Sequence, residues 1–292
     1  MNSTEHRGHL IPVLTVCVVI VVVWYLAAIP MNAVVTQSKI DAAGGGFYNT
    51  VLFSWNHERP VLPAPHQIFG EIWRSVFLIE PWKPKSLLYH CWVTLSSTIL
   101  GFILGVVFGI ALAVAIVHSK ILSNALMPWI IASQTVPILA IAPMIIVVLG
   151  AIGLKGLLPK ALISMYLCFF PVTIGMVKGL TSPDLMHLDL MKTYNASARE
   201  VLWKLRFPAA VPYLFSSLKI AIAIALTGAI VGELPTGAVA GLGARLLIGS
   251  YNGLTLMIWA ALVAGSVMAA LLVWLVGYAE SRTLAAMGTK PA

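Results

Sequence analysis

Long apolar runs separated by short polar stretches dominate the chain. A helix needs about 20 mostly apolar residues to cross the hydrocarbon core of a bilayer. Six segments meet that length: residues 10–29, 88–117, 121–149, 157–179, 216–234 and 256–279. The pattern predicts an all-α integral membrane protein of about six transmembrane helices. The third segment carries Pro128, Pro137 and Pro143. Each removes a backbone donor and crowds the preceding turn, so this span is expected to be kinked or broken.

The pattern also divides the chain. Residues 1–29 form a tail and the first span, and 30–86 a long loop. Residues 87–280 hold five helices with a polar inner segment at 180–215, and 281–292 form a tail. Within the long loop, Gly44-Gly45-Gly46 reads as a flexible break and Leu62-Pro63-Ala64-Pro65 as a stiff, extended approach. From Gln67 to Ile79, the apolar residues Ile68, Phe69, Ile72, Trp73, Val76 and Phe77 recur at helical spacing opposite Glu71, Arg74 and Ser75. That is a short amphipathic helix, lying either on the outer membrane surface or against the bundle.

Composition agrees with the membrane reading. Of 292 residues, 60% are hydrophobic and 10% charged, and the mean hydropathy is +0.95. A soluble domain of this length needs more polar surface. The net charge of +8 raises the question of nucleic acid. The basic residues follow membrane side rather than gathering in a patch with interleaved aromatics, so nucleic acid is excluded as a partner. Cys17, Cys91 and Cys168 sit inside apolar segments with neither metal nor redox spacing, and they read as packing residues. The first apolar run has no clear small-residue cleavage site and is expected to stay as an anchor.

Lys and Arg counts set the sidedness. With the N-terminus inside, the inner segments hold Arg7, Lys120, Lys178, Lys192, Arg199, Lys204, Arg206, Lys219, Arg282 and Lys290. The outer segments, apart from the long loop, hold only Lys155, Lys160 and Arg245. Both termini are therefore expected in the cytoplasm.

Candidate chemistry is sparse. Gly101, Gly105 and Gly109 share one face of the second span, and Gly175 with Gly179 repeats that spacing in the fourth. Such positions let helices approach closely or line a pathway. Polar groups inside spans are costly and mark candidate pathway positions. These are Ser133, Gln134, Thr135 and Pro137 at the break, Ser164, Thr227, and Glu233 at the outer end of the fifth span. Ser164 and Thr227 have a simpler role available, bonding a carbonyl of their own helix. Glu233 is either a gate or a group reaching the interface, and His90 and His118 are expected at the interface. The spans hold no fixed cation in this reading. No pair of residues is placed for catalysis and no cluster has metal-ligand spacing.

The segment 180–215 is the most informative. Thr181-Ser182-Pro183 is expected to cap a first helix running to about Tyr194. Asn195 tolerates the left-handed conformation that ends helices. Ser197-Ala198-Arg199-Glu200 reads as a capping box for a second helix, which Pro208 and Pro212 should end. This helix-turn-helix is either a docking surface or a solvated connector.

Asp189-Leu190-Met191-Lys192-Thr193-Tyr194-Asn195, nine residues, then Leu205-Arg206-Phe207-Pro208 resembles the EAA loop of ATP-binding-cassette (ABC) importer permeases. Asp189 stands for Glu, Leu190 and Met191 for two alanines, and Asn195 for glycine. Val136-Pro137-Ile138-Leu139-Ala140-Ile141-Ala142-Pro143 resembles a run in the nitrate, sulfonate and taurine permease group. Phe170-Pro171, Gly179-Leu180, Gly232-Glu233 and Gly241-Leu242-Gly243 sit where that group has similar residues.

The resemblance covers roughly residues 60–280. It implies a type I ABC importer permease bundle with a cytoplasmic coupling helix-turn-helix, in a bacterial inner membrane. Asp189, Leu190, Met191, Asn195, Ala196, Ser197, Glu200 and Pro208 would meet an ATPase subunit. A second permease copy and an extracytoplasmic substrate-binding protein would complete the importer. ATP and Mg would bind the ATPase and not this chain, which has no Gly-rich phosphate loop and would not itself be an enzyme. The cargo would be nitrate, a sulfonate such as taurine, or a vitamin or pyrimidine precursor. A secondary transporter or channel working without an ATPase is the alternative. An intramembrane enzyme would need paired catalytic groups at one depth.

Overall fold

The computed structural model describes residues 3–234 and 240–288, and among them the regular structure is helical throughout. Among the described residues, five helices are long and apolar enough to cross a membrane, or six spans if one sharply bent pair counts as one. The fold is therefore an all-α membrane bundle.

The chain divides into two compact units, residues 1–89 with 245–264, and residues 90–244 with 265–292. In the first unit, α1 (Ser3–Ala42) runs well past the residue-29 boundary set by hydropathy, straight through Pro30. Gly44, Gly45 and Gly46 then take three successive positive φ values and turn the chain into α2 (Phe47–Trp55). The hydropathy pattern alone places α2 within the long loop 30–86. α3 (Pro65–Trp73) starts on its proline and continues as a wide π turn over Arg74–Leu78.

The amphipathic stripe read for α3 splits in two. Ile68 and Ser75 are buried, while Phe69, Trp73 and Phe77 form an exposed aromatic ladder. One buried asparagine organises the approach to α3. Asn32 Nδ2 donates to the carbonyls of Ser54 (2.9 Å) and Leu62 (2.8 Å), and its Oδ1 accepts from the N–H groups of Val61 (2.7 Å) and Leu62 (3.1 Å). Trp24 Nε1 donates to Pro63 O and Thr255 Oγ1 to Pro60 O, so the whole run 60–63 is held by side chains.

The second unit is built around two long helices. α4 (Leu87–His118) enters it at His90. α5 (Lys120–Ser133) and α6 (Ile138–Ala151) follow, bent by 100° at the break. Of the three prolines expected to disrupt this segment, Pro137 does so, as the residue before α6, whereas Pro128 and Pro143 lie inside helices.

α7 (Leu157–Leu180) packs against the helical run that ends at Glu233. That run is one 36-residue rod: α9 (Ala198–Glu200), after the short α8 (Leu185–Thr193), then a π turn over Val201–Arg206, then α10 (Phe207–Glu233). Pro208 and Pro212 were expected to end the helix, and they do not. Pro208 sits at the start of α10, where the wide π turn has already loosened the ladder its missing N–H would have joined.

Glycines set the closeness of the packing. A Cβ on Gly101 would lie 2.4 Å from Ser164 Cβ, one on Gly105 2.1 Å from Cys168 Sγ, and one on Gly109 2.9 Å from Phe169 O. Between α7 and α10 the same holds at Gly175, against Ser217, at Gly179, against Ala210, and at Gly228, against Ser164. Around these contacts lies a core of Ala113, Cys168, Val172, Met176, Leu180, Ala221 and Ala225. Small residues that admit backbone-to-backbone contact are the usual basis of association between helices in lipid. The chain ends with α11 (Leu242–Tyr251) and α12 (Thr255–Ala286), the latter tied to α10 by the ion pair Lys219–Glu280.

Candidate functional site: a capped hairpin and a buried carboxylate

The hairpin between α7 and α10 is closed by local chemistry. α8 ends in a left-handed residue, Asn195, with φ 51°, which is the only non-glycine with positive φ among the described residues. Around it, Ala196 N–H donates to Met191 O (3.0 Å) and Asn195 N–H to Lys192 O (2.9 Å). This is the paired pattern that satisfies the last carbonyls of a helix. Two residues on, Ser197 Oγ accepts from Glu200 N–H, and Glu200 Oε2 accepts from Ser197 N–H. This reciprocal box opens α9.

Lys204 donates to Glu200, and together with the Ser197 N–H and hydroxyl it draws the carboxyl pKa down to about 2. The expected cap at the other end is absent. Thr181 and Ser182 hydroxyls bond back to Val177 and Gly179 carbonyls, and α8 begins after Asp184. In place of that cap, Arg206 Nη1 reaches across to Leu180 O (3.1 Å) and ties the two feet of the hairpin together.

What the hairpin presents is as informative as how it closes. No residue of α8 is buried. Leu185, Met186, Leu190 and Tyr194 are all exposed, with Met186 at 80%. Asp189 pairs with Lys192 on the same short helix, at 2.8 Å. Apolar groups of this size are seldom presented together on a short polar connector with nothing covering them.

The polar groups proposed for a pathway are not gathered by the fold. Gln134 is exposed and bonds Ser133, and Thr135 Oγ1 bonds Ala132 O within its own turn. Pro137 precedes α6. Thr227 Oγ1 bonds Ala223 O four residues back on its own helix. Ser164 is fully buried where α4, α7 and α10 cross, its Cβ against Gly101 and its Cα against Gly228.

Glu233 differs from its sequence reading. It does not reach a surface, being fully buried beside Lys160, whose Nζ stands 3.5 Å from Oε1. Its carboxylate also accepts from the Thr94 hydroxyl (2.9 Å) and from Gly243 N–H (2.9 Å). Two further N–H groups at the start of α11 are held alongside it, Gly241 N–H by His90 Nδ1 (2.9 Å) and Leu242 N–H by Thr94 Oγ1 (2.8 Å). His90 is thus buried rather than interfacial, and Lys160 is a fixed cation that hydropathy had assigned to an outer segment. A carboxylate and its neighbours facing the unpaired N–H groups of a helix start is electrostatically favourable. Gly241, with φ 123°, must lack a Cβ, because one would lie 2.1 Å from Glu233 Cδ.

A family profile described as "Binding-protein-dependent transport system inner membrane component" matches residues 105–284. The chain belongs to that family. It is accordingly a multi-pass inner-membrane protein; the hairpin, Lys160, Glu233 and residues 240–243 fall inside the matched region, while His90 and Thr94 precede it. Among named relatives, it is 38% identical over 188 residues to the riboflavin transport system permease protein RibX of Chloroflexus aurantiacus, covering 64% of this chain and 66% of that one. It is 32% identical over 196 residues to the formylaminopyrimidine transport permease protein ThiX of Halalkalibacterium halodurans, covering 66% of this chain and 73% of that one. The nitrate import permease protein NrtB of a Synechocystis strain is 25% identical over 182 residues, covering 61% and 64%. The chain thus matches just under two thirds of the length of the first and third of these relatives. The residues before 105, including α1 to α3, lie outside the family match.

Proposed function

We propose that this chain is the transmembrane permease subunit of an ATP-driven importer, with the 185–200 hairpin as its contact to a cytoplasmic ATPase. The observation that carries this reading is the hairpin: a double-capped turn with no buried residue in α8, exposing Leu185, Met186, Leu190 and Tyr194 around Asp189. Family membership supplies the context, and the run 189–208 matches the spacing of an EAA loop. Asp189, Leu190, Met191, Asn195, Ala196, Ser197 and Glu200 form or shape that contact, and Pro208 sits where α10 leaves it. Hydrolysis then belongs to the partner, which binds ATP and Mg. A second permease copy and an extracytoplasmic binding protein complete the assembly. Both termini lie on the hairpin's side, in the cytoplasm.

The relatives' names favour a flat heterocycle, a vitamin or a pyrimidine precursor, over an inorganic anion, because the more similar two are permeases for such compounds. A secondary transporter needs an acidic group open to a coupling ion. The Glu233 oxygens are instead occupied by Thr94, Lys160 and Gly243, which weighs against that reading.

The test is co-purification from the native host. An affinity-tagged chain should retain ATPase subunits in mild detergent, and Asp189→Arg should release them while the protein still inserts. Retention unchanged by that substitution would overturn the assignment of the contact.

A further inference from the structure

We infer that α7 and α10 form one lever, with the hairpin at one end and a buried clasp at the other that passes motion to the start of α11. This rests on the permease reading above and adds the residues that transmit its stroke: Glu233, Lys160, Thr94 and His90.

The lever follows from connectivity and packing. α7 runs into the hairpin and the rod ending in α10 leaves it, so a displacement of the hairpin moves both helices. Arg206 bonding Leu180 O closes the pair at the hairpin end. Gly179 against Ala210, Gly175 against Ser217 and Gly228 against Ser164 close it along its length. At the far end, Gly232 lies against Lys160 and Ile163, and the next residue, Glu233, pairs with Lys160. With 24 residues in α7, the lever is about 36 Å long at 1.5 Å per residue. Interfaces held by backbone contact resist sliding, so the two helices move as one body.

The clasp is more than an ion pair. Three consecutive N–H groups, of Gly241, Leu242 and Gly243, enter side chains of α4 and α10: His90 Nδ1, Thr94 Oγ1 and the Glu233 carboxylate. Lys160 of α7 adds a donation to Ala240 O (3.1 Å). Every helix of the lever, and α4, therefore grips the segment 240–243, and Gly241 and Gly243 are required for that grip. A Cβ on Gly243 would lie 2.2 Å from Ile230 O. These are positioning residues; none is assigned to contact a substrate.

A bare ion pair and a clasp differ in one respect. An ion pair tolerates exchange of its charges. A clasp does not, because a lysine at 233 cannot accept from Gly243 N–H, whereas glutamine can.

The experiment uses the permease–ATPase complex in nanodiscs. Its readouts are the ATP hydrolysis rate and the labelling rate of a cysteine placed at Ser250 on α11, with and without ATP plus vanadate, using a water-soluble maleimide. Wild type should show a several-fold change in labelling on trapping. Glu233→Leu and Thr94→Val should hydrolyse ATP yet lose most of that change, and the exchanged pair Lys160→Glu/Glu233→Lys should stay uncoupled. The neutral pair Lys160→Met/Glu233→Gln should recover at least half of it. A full response in Thr94→Val, which replaces a side chain of the same shape, would overturn the inference even if the Glu233 variant fails to fold. Recovery in the exchanged pair would reduce the clasp to an ion pair. A wild-type complex that hydrolyses ATP with no change in labelling would likewise overturn the inference, whereas a chain with which no ATPase assembles would refute the permease reading itself.

Discussion

The turn at Asn195 makes a sharp quantitative claim. Its φ of 51° is a conformation in which most side chains clash with their own carbonyl. A non-glycine residue there costs about 1–2 kcal/mol, with asparagine among the least penalised. Asn195→Val places a β-branched side chain in that conformation and should lose most of this amount. A loss of that size shifts the balance between closed and frayed turn by a factor of roughly 5–30.

Asn195→Gly relieves the strain and should close the turn as well as the native residue does. The assay is amide exchange of Asn195 and Ala196, whose N–H groups donate to Lys192 O and Met191 O. Both should exchange about tenfold faster in the valine variant and at the native rate in the glycine variant. Affinity for the ATPase should follow the same order. A valine variant exchanging like wild type, or a glycine variant as fast as valine, would refute the claim that left-handed geometry at this residue holds the hairpin.

Two other substitutions probe the scaffold. Gly105→Ala forces a methyl to 2.1 Å from Cys168 Sγ. It should cost about 1–3 kcal/mol as overpacking, and Cys168→Ala should restore most of it. Thermal unfolding in detergent reads this, and a destabilisation unaffected by the second change would show that the clash lies elsewhere. Asn32→Ala removes four hydrogen bonds to the chain around residues 54–62. At about 1 kcal/mol or more for each buried partner left unpaired, the run 56–64 should become the first site of limited proteolysis. Unchanged cleavage there would contradict the role given to Asn32.

Much of this architecture is written locally, and what is local could be read. The glycines at 101, 105 and 109 fall on one face because 3.6-residue periodicity puts them there, and the structure uses them for close contact with α7. Asn195 and the Ser197–Glu200 box act within a few residues of themselves, so their spacing sufficed. The helix N-terminus before α8 was misplaced because hydroxyls at Thr181 and Ser182 had a competing partner, the carbonyls of the turn behind them. Pro208 was misjudged for a different reason. A π turn is a collective choice of six residues that no single position announces.

Glu233 and Lys160 lie 73 positions apart and Thr94 lies 139 from Glu233. Charge counting placed the lysine outside, and only tertiary packing brings it against a carboxylate. Glu233 itself, as a polar group at the end of a span, and the Gly241-Leu242-Gly243 run were the sequence hints of that cluster. The run's requirement for absent Cβ atoms becomes intelligible once Glu233 is seen beneath it.

The most direct test of the permease assignment is the energy source of uptake. The chain, its ATPase and its binding protein should be reconstituted in proteoliposomes with radiolabelled riboflavin, a formylaminopyrimidine and nitrate offered in parallel. One of the three should accumulate, only with ATP on the hairpin side, and accumulation should stop when a non-hydrolysable analogue replaces it. Accumulation by the chain alone, driven by an ion gradient without the ATPase, would contradict the account.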